Sequence, residues 1–277
     1  MNVTLLGAGG KMGARLIANL RPRSEYSIDY VEISEAGRKR LAEQQIEPVG
    51  VEEAISRAQI LILAIPDSSI GKVTHEIVPK LRSQTMVFGL DPAAAYAEVM
   101  PIREDLTYFV AHPCHPPLFT DRAPADEESD WFGSRGTLPQ SVVCALHHGP
   151  EVDYAIGEKL AADMFAPILR LHRITVEQMA ILEPAVVEST MLTCVTIMKQ
   201  AMEEAIRLGV PSQAAWDFCL GHIRTELAIV FGFAGFPVSD GAKRAVEQNM
   251  KNIFRDDWRE VISVPALKKS VRDICQA

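Results

Sequence analysis

Met1-Asn-Val-Thr-Leu-Leu6 runs directly into Gly7-Ala-Gly-Gly-Lys-Met-Gly13, and Ala14-Arg-Leu-Ile-Ala-Asn-Leu20 follows with apolar residues at helical spacing. This order predicts a strand, a glycine turn and a helix, which together begin a βαβ unit. Glycine suits such a turn because it tolerates unusual backbone angles and lets a pyrophosphate approach bare amides. The following helix directs its free N–H groups and positive dipole end at the phosphates. The stretch therefore predicts a dinucleotide-binding fold.

The glycine spacing fits two forms of the dinucleotide motif. Gly7 and Gly9 begin a G-x-G-x-x-G pattern in which Met12 takes the third glycine position. Gly7, Gly10 and Gly13 instead give G-x-x-G-x-x-G, and both forms stay open because turns use glycine freely. The cofactor contacts predicted in this turn are Gly7, Gly9, Gly10, Lys11 and Met12.

An acidic residue ends the second predicted strand. Glu32 stands 25 residues after Gly7, where a carboxylate can accept a hydrogen bond from a ribose 2′-hydroxyl and repel a 2′-phosphate. Arg38, Lys39 and Arg40 argue against this interpretation, but we assign them to the solvated face of the next helix. We therefore expect NAD rather than NADP.

Length and composition limit the classes of function. A chain of 277 residues with 48% apolar residues can form one large or two modest domains. The net charge of −8 disfavours nucleic acid and anionic membranes as partners. No apolar run reaches transmembrane length and no secretory signal is visible, so a cytoplasmic protein is expected. The five cysteines are scattered without a C-x-x-C motif, as in proteins with reduced thiols.

Apolar runs alternate with helical stretches as far as residue 173. Further strands are predicted at 58–66, 85–90, 106–111, 141–146 and 168–172, with helices at 70–81 and 150–165. The alternation predicts an α/β domain over 1–173 with a doubly wound, Rossmann-type, mostly parallel sheet. Ligands bind at the carboxyl ends of such strands, so Pro66 and Asp67 are further predicted cofactor contacts. The polar stretch 120–136 is expected to form a loop, with Trp131 and Phe132 able to cover a site.

The pattern from residue 174 onward is helical. Thr175-Val-Glu-Gln178 resembles a capping box, and Glu183 and Glu188 are the only charged residues between 178 and 198. A helix that is apolar on all sides needs cover from several directions. We predict an all-α domain over 174–277 with a long buried helix, paired with a second copy as a homodimer. Further helices are predicted at 212–231, 240–252 and 265–275.

Candidate ligands for a metal lie in a proline-rich loop and in the long helix. The loop His112-Pro-Cys-His-Pro-Pro117 follows a strand, and proline stiffens it, which suits a preorganised ligand set. In the buried helix an unpaired Glu188 carboxylate would be costly. Glu183 would point about 140° away from Glu188 in an α-helix, and it precedes Pro184, so we prefer Glu188. His115 and Glu188 are therefore the predicted catalytic and metal-binding residues.

Alternatives for these side chains stay open. One histidine of the loop could simply pack and the other lie exposed, and Glu188 could bond to a Ser, Thr or Arg. His112, Glu183 and Lys199 remain possible participants. Imidazole and carboxylate ligands beside a nicotinamide suit Zn²⁺, Mn²⁺ or Mg²⁺. Such an ion polarises a hydroxyl or carbonyl next to the hydride carbon.

A nucleotide-binding fold followed by a long buried helix resembles the 6-phosphogluconate and β-hydroxyacid dehydrogenase superfamily. The motifs that carry the resemblance are Gly7–Gly13, Glu32, Ala64-Ile-Pro-Asp67 and the long helix. That superfamily usually has a catalytic lysine near the start of this helix, whereas Glu183-Pro-Ala-Val-Val-Glu-Ser-Thr190 has none, which favours metal chemistry. Together with the proline-rich loop, this stretch resembles the D-apionate oxidoisomerase group.

The resemblance implies an NAD-dependent oxidation of a branched sugar acid followed by a shift of its hydroxymethyl group, which gives 3-oxo-isoapionate. A metal that bridges two adjacent oxygens would serve both steps, because each develops alkoxide charge there. One alternative is a plain NAD-dependent hydroxyacid dehydrogenase that stops after hydride transfer. The other, from a different class, is a non-catalytic NAD-binding sensor.

Overall fold

The computed structural model of the protein describes residues 1–119, 132–133 and 138–276. The chain forms two compact units, Met1–Pro184 with Lys268–Ala277, and Ala185–Leu267. This division differs from the predicted boundary between 173 and 174. Met179 and Val271 are fully buried, because the segment after the last strand and the C-terminal helix both pack in the first unit.

A seven-stranded sheet forms the centre of the first unit, in the order β2-β1-β3-β4-β5-β6-β7. Neighbouring strands run parallel except β5 and β6, which pair antiparallel. The mostly parallel, doubly wound sheet is therefore confirmed. The strands are β1 (Asn2–Leu6), β2 (Ser27–Val31), β3 (Ile60–Leu63), β4 (Met86–Gly89), β5 (Thr107–Pro113), β6 (Gln140–His148) and β7 (Ile168–Arg173).

Helices cover the strands of the first unit. Strands β3 and β4 are buried along their whole length, as expected for parallel strands with helices on both faces. Three short helices, α2, α3 and α5, lack the long apolar periodicity by which helices are recognised in a sequence. The helices are α1 (Lys11–Leu20), α2 (Glu35–Glu43), α3 (Val51–Arg57), α4 (Asp67–Ile77), α5 (Ala93–Tyr96), α6 (Tyr154–Met164) and α7 (Val176–Ala180).

The chain after β7 is helical, as predicted. Thr175 and Gln178 form the predicted capping box at the start of α7. Pro184 lies inside a π-helix, Ile181–Leu192, rather than at a bend between two α-helices. The π-helix continues into α8 (Thr193–Arg207), followed by α9 (Ser212–Val230), α10 (Asp240–Ile253) and α11 (Val264–Gln276).

A single chain does not bury the long helix, and its predicted burial against a second copy stays a prediction. Val187, Leu192 and Val195 are 47%, 59% and 58% exposed, because the helices of the second unit leave this apolar face uncovered. The continuous helical stretch Val176–Arg207 is also long and apolar enough to cross a bilayer by length and composition alone. That finding corrects the expectation that no apolar run reaches transmembrane length, although core helices of soluble proteins meet the same criterion.

Candidate metal and dinucleotide site

Close backbone contacts fix the glycine turn between β1 and α1. Gly7 has a φ of +77°, and a Cβ atom there would lie 2.2 Å from the carbonyl oxygen of Ala64. A Cβ on Gly9 would lie 2.4 Å from the backbone oxygen of Gly37. A Cβ on Gly13 would likewise lie 2.4 Å from the carbonyl oxygen of Ala8, so positions of both forms of the motif require glycine.

The turn leads into an uncapped helix N-terminus. Gly10 is the N-cap of α1, and as a glycine it provides no side-chain cap for the first turn of the helix. The amides that begin with Lys11 and Met12 are therefore oriented as the sequence predicts for binding a pyrophosphate. Helix α4 begins at Asp67 with Pro66 as its N-cap, three residues before its predicted start, so it also presents an N-terminus at the carboxyl end of β3.

Glu32 is buried and ties the glycine turn to helix α2. Its Oε2 accepts a hydrogen bond from the Gly9 amide at 2.9 Å, and its Oε1 accepts bonds from the amide and the hydroxyl of Ser34, both at 2.8 Å. Burial alone would raise the pKa of this carboxyl group, but the bonds from Ser34 and Gly9 outweigh it and lower the pKa. Glu32 is therefore held as an anion at the place predicted for the ribose contact.

Two arginines of α2 are also attached to this turn. The Nε atom of Arg38 donates to the carbonyl oxygen of Glu32 at 2.9 Å, and that of Arg40 donates to the carbonyl oxygen of Gly9 at 2.6 Å. Arg38, Lys39 and Arg40 are exposed on α2, as the sequence suggested for a solvated helix face. The backbone bonds of Arg38 and Arg40 also reinforce the packing of α2 on the turn.

A group of possible metal ligands lies at the carboxyl edge of the sheet. Gly89 and Val110 are partners in the parallel pairing of β4 with β5, so Asp91 and His112 each follow two residues later. One ligand atom from each of Asp91, His112 and Glu183 lies within 4.8 Å of the others. All three side chains are partly buried.

The tautomer of His112 can be inferred from its surroundings. Its Nδ1 atom lies 2.8 Å from the carbonyl oxygen of Leu90, which can only accept, so Nδ1 carries the hydrogen. Nε2 then has its lone pair available, and it lies 3.9 Å from Oε1 of Glu183. A carbonyl bond on the other ring nitrogen is the usual arrangement of a metal-binding histidine.

Asp91 completes the donor set. Its Oδ1 accepts a hydrogen bond from the Ala93 amide at 2.8 Å, and its Oδ2 lies 3.8 Å from Nδ1 of His112. One imidazole nitrogen with carboxylate oxygens suits Zn²⁺ or Mn²⁺ better than Ca²⁺, which prefers oxygen ligands alone. The residues present therefore fit a divalent transition-metal ion or zinc.

His115 lies beside this group and not within it. Its backbone has a φ of +59°, a strained conformation that often accompanies function. Its ring lies 6.3 Å from that of His112 and 5.6 Å from that of Phe132, and its Nδ1 is 3.3 Å from the carbonyl oxygen of Phe132. Burial is the main cause of its lowered pKa, so a neutral imidazole is favoured.

The predicted pair of His115 and Glu188 remains a prediction, because these residues belong to different compact units. The side chain of Glu188 is exposed in the single chain, so its predicted burial depends on the predicted second copy. The angle of about 140° that separated Glu183 from Glu188 assumed an α-helix. That assumption fails because both residues lie in a π-helix, with i→i+5 bonding.

Other predicted features are resolved in part. Lys199 is 61% exposed and pairs with Glu203 one helical turn away, and it belongs to a different compact unit from the ligand group. The predicted covering loop falls mostly outside the described residues, and so does Trp131, whereas Phe132 is described.

Sequence reasoning missed Asp91 as a ligand and the return of the C-terminal helix. Asp91 was visible as the first polar residue after a buried strand, which is the signal that also selected Asp67. Helix α11 brings Cys275 back to the first unit, where burial, with the charges of Asp67 and Asp91, raises the pKa of its thiol to about 11. No local pattern indicates such a long-range contact.

Comparisons with known proteins identify relatives over the whole chain. Residues 120–275 match the family described as phosphogluconate dehydrogenase (decarboxylating) C-term. The chain is 44% identical over 273 residues to D-apionate oxidoisomerases of Cupriavidus necator and of Rhizobium rhizogenes, with 98% of each chain covered. A crystal structure described as a semialdehyde dehydrogenase NAD-binding protein from Cupriavidus necator, in complex with calcium and NAD, has 44% identity, a TM-score of 0.94 and 99% coverage of both chains. The resemblance inferred from the sequence is confirmed.

Replacement of the buried carboxylate should destabilise the glycine turn. In Glu32→Gln one amide nitrogen would face the donors of Gly9 or Ser34, so we expect a loss of about 1–3 kcal/mol of stability at neutral pH. Thermal unfolding compared with the exposed control Glu47→Gln measures the effect. An equal change in both variants would contradict this role of Glu32.

The same comparison should depend on pH. The pKa of Glu32 lies below its usual value of 4.5 in the folded state, so its contribution is fully present above that value. It is lost as the pH falls through the folded pKa. The difference in thermal midpoint between wild type and Glu32→Gln should therefore narrow below about pH 4, and a constant difference would oppose this account.

Proposed function

Because this chain belongs to the D-apionate oxidoisomerase family and, through residues 120–275, to the phosphogluconate dehydrogenase C-terminal family, we propose that it oxidises D-apionate with NAD and isomerises the product to 3-oxo-isoapionate. The observation that supports this reaction best is the group of Asp91, His112 and Glu183 at the carboxyl edge of β4 and β5. Bound dinucleotides place their reactive end near this edge in such folds.

The two chemical steps need the same pair of neighbouring oxygens. In the first step the secondary hydroxyl loses its proton and its carbon gives a hydride to NAD, which leaves a ketone. In the second step the hydroxyl of the branched carbon loses its proton and becomes a ketone. The hydroxymethyl group moves with its bonding electrons to the first ketone carbon, whose oxygen takes up a proton. The first step therefore develops negative charge on one of these oxygens, and the second step develops it on both.

The ligand group provides for that charge. A divalent cation held by His112, Glu183 and Asp91 would stabilise negative charge on both substrate oxygens. The bond to Leu90 keeps Nε2 of His112 directed toward Glu183. The crystal of the Cupriavidus necator relative contains calcium, and we propose zinc or manganese as the physiological ion here because one ligand is nitrogen.

His115 supplies the proton acceptor in this proposal. Its Nδ1 faces the carbonyl oxygen of Phe132, so the other ring nitrogen is left with a lone pair. The lowered pKa favours the neutral ring that can accept a hydroxyl proton. His115 thus keeps its predicted catalytic role, whereas His112 and Glu183 take the predicted metal role of His115 and Glu188.

Identification of the reaction product tests the proposed function. The protein, supplied with NAD, a divalent metal and D-apionate, should form NADH and 3-oxo-isoapionate in equal amounts, as measured by absorbance and NMR. An unrearranged keto acid would instead support the plain hydroxyacid dehydrogenase. Tight NAD binding without NADH formation for any sugar acid would support the non-catalytic sensor.

Metal binding should separate the two candidate ligand sets. We expect His112→Ala and Glu183→Gln each to weaken Zn²⁺ or Mn²⁺ binding at least about 100-fold and to abolish turnover, because each removes a ligand. Calorimetry measures the affinity, and NAD binding through the glycine turn serves as a check of folding. Chelation of the wild-type protein should reproduce the loss of turnover.

His115→Ala and Glu188→Gln test the alternative ligand set, which was predicted from the sequence. They should keep metal affinity within a few-fold of wild type, as should His172→Ala, which removes an exposed histidine of β7. If His115→Ala and Glu188→Gln lose the metal while His112→Ala retains it, the ligand set inferred from the sequence is correct and the present one is wrong.

We also propose that two copies of the chain associate through the second unit. Val187, Leu192 and Val195 expose about half of their surface on one long helix with little charge. A contiguous apolar surface of this kind is rare on monomers. A second copy matches it because the same face on both chains can pair around a twofold axis.

Light scattering at micromolar concentration should give a mass near twice 30.5 kDa. Val195→Glu places a charge on the apolar face and should shift the equilibrium toward monomer, because the charge would have to be desolvated. A wild-type monomer, or a Val195→Glu dimer of unchanged strength, would contradict this mode of association.

A further inference from the structure

The proposed proton acceptor, His115, is held near the start of strand β6 by two contacts. The amide of Cys114, the residue before it, donates a hydrogen bond to the carbonyl oxygen of Ser141 at 2.8 Å. Nδ1 of His115 itself lies 3.3 Å from the carbonyl oxygen of Phe132. The second contact matters for the chemistry, because a carbonyl oxygen can only accept. It keeps the hydrogen on Nδ1 and the lone pair on Nε2.

Gln140, the first residue of β6, reaches the residue after Phe132. Its side chain is buried, and Nε2 donates to the carbonyl oxygens of Gly133 at 3.3 Å and of Phe165 at 3.0 Å. Because both partners are acceptors, the nitrogen of the side-chain amide must face them rather than the oxygen. Gln140 therefore connects residues 132–133 with the end of helix α6.

Gly133 packs directly against the side-chain amide of Gln140. It has a φ of +66°, and a Cβ atom there would lie 2.9 Å from Nε2 of Gln140. The buried Oε1 atom of Gln140 has no hydrogen-bond partner among the residues that the structure describes. Burial of an amide with one unsatisfied atom costs free energy, which the two donated bonds offset. These bonds therefore fix the backbone of residues 132–133 to the start of β6.

We propose that Gln140 positions His115 for proton transfer, by holding residues 132–133 so that the carbonyl oxygen of Phe132 stays at Nδ1. The proposal rests on the proposed function, because it takes His115 as the acceptor of the hydroxyl proton. A base that is held in one tautomer keeps its lone pair toward the substrate. A released ring would divide between two tautomers and several orientations.

Asn19 offers a matched control for Gln140. Its Nδ2 also donates to two backbone carbonyls at the end of α6, those of Met164 and Ala166, but neither bond reaches residues 132–133. Gln140→Met and Asn19→Leu should both lower the thermal midpoint, because each removes two hydrogen bonds.

Steady-state kinetics of these two variants tests the positioning role. Gln140→Met should lower kcat for D-apionate about 10- to 100-fold, with KM within about twofold of wild type, because the base is misoriented while the metal ligands remain. Asn19→Leu should keep the kcat of wild type. An equal loss of kcat in both variants would show that Gln140 only supports the fold, and an unchanged kcat in Gln140→Met would also overturn the proposal.

Nitrogen NMR of labelled histidine rings reads the tautomer itself. In the purified chain before any substrate is added, at about pH 8 where the ring is neutral, His115 should carry its hydrogen on Nδ1. The signals of His115 are identified by their loss in His115→Gln. Gln140→Met should shift the population toward hydrogen on Nε2, whereas Asn19→Leu should not. An unchanged tautomer in Gln140→Met overturns the proposal.

Gly133→Ala disturbs the same contact from the other side and serves if Gln140→Met does not fold. Its methyl group should displace residues 132–133 from Gln140 and give the same change of tautomer and the same loss of kcat. Gly209→Ala is the control, because Gly209 has a φ of +103° and a Cβ there would meet no described atom within 4 Å. A Gly133→Ala variant with the tautomer and kcat of wild type would contradict the positioning role.

The NMR measurement separates this proposal from the proposed function, because it needs no substrate. If D-apionate is not converted but Gln140→Met changes the tautomer of His115, the reaction is refuted and the positioning role stands. If D-apionate is converted but the tautomer is the same in Gln140→Met and wild type, only the positioning role is refuted. Hydrogen on Nε2 in the wild type would refute the positioning role as well.

Discussion

The shape of the glycine turn depends on one contact, in which the backbones of Gly9 and Gly37 approach each other beside the buried carboxylate of Glu32. Gly9 approaches Gly37 so closely that a Cβ on Gly9 would lie 2.4 Å from the neighbouring backbone oxygen. Glu32 receives the Gly9 amide on one side and Ser34 on the other. A larger side chain at either glycine would separate α2 from the turn, and the anion site would lose its shape.

The parallel pairing of β4 with β5 positions two members of the ligand group, Asp91 and His112. In a parallel pair, residues that follow partnered positions emerge at the same edge of the sheet. Asp91 and His112 follow the partners Gly89 and Val110, so their proximity is a consequence of strand pairing. The sequence could therefore predict the edge at which chemistry occurs. It could not predict that Glu183 reaches this edge, because that depends on how the chain continues after β7.

The sequence predicted the sheet and the later helices because apolar periodicity reports burial directly. It failed where geometry departs from the ideal. The sequence analysis preferred Glu188 over Glu183 because it assumed the angular spacing of an α-helix. Both residues instead lie in a π-helix that also contains Pro184. The spacing of apolar residues in a sequence does not distinguish a π-helix from an α-helix. Such π-helical segments are frequent at functional sites. The return of α11 was also beyond prediction, because its contact with the sheet unit is long-range.

The site combines groups whose charges would be unfavourable in isolation. In the proposed site a cation would offset the charges of Asp91 and Glu183, and Nε2 of His112 faces the carboxylate of Glu183. Two acids without an ion would repel an anionic substrate as well as each other.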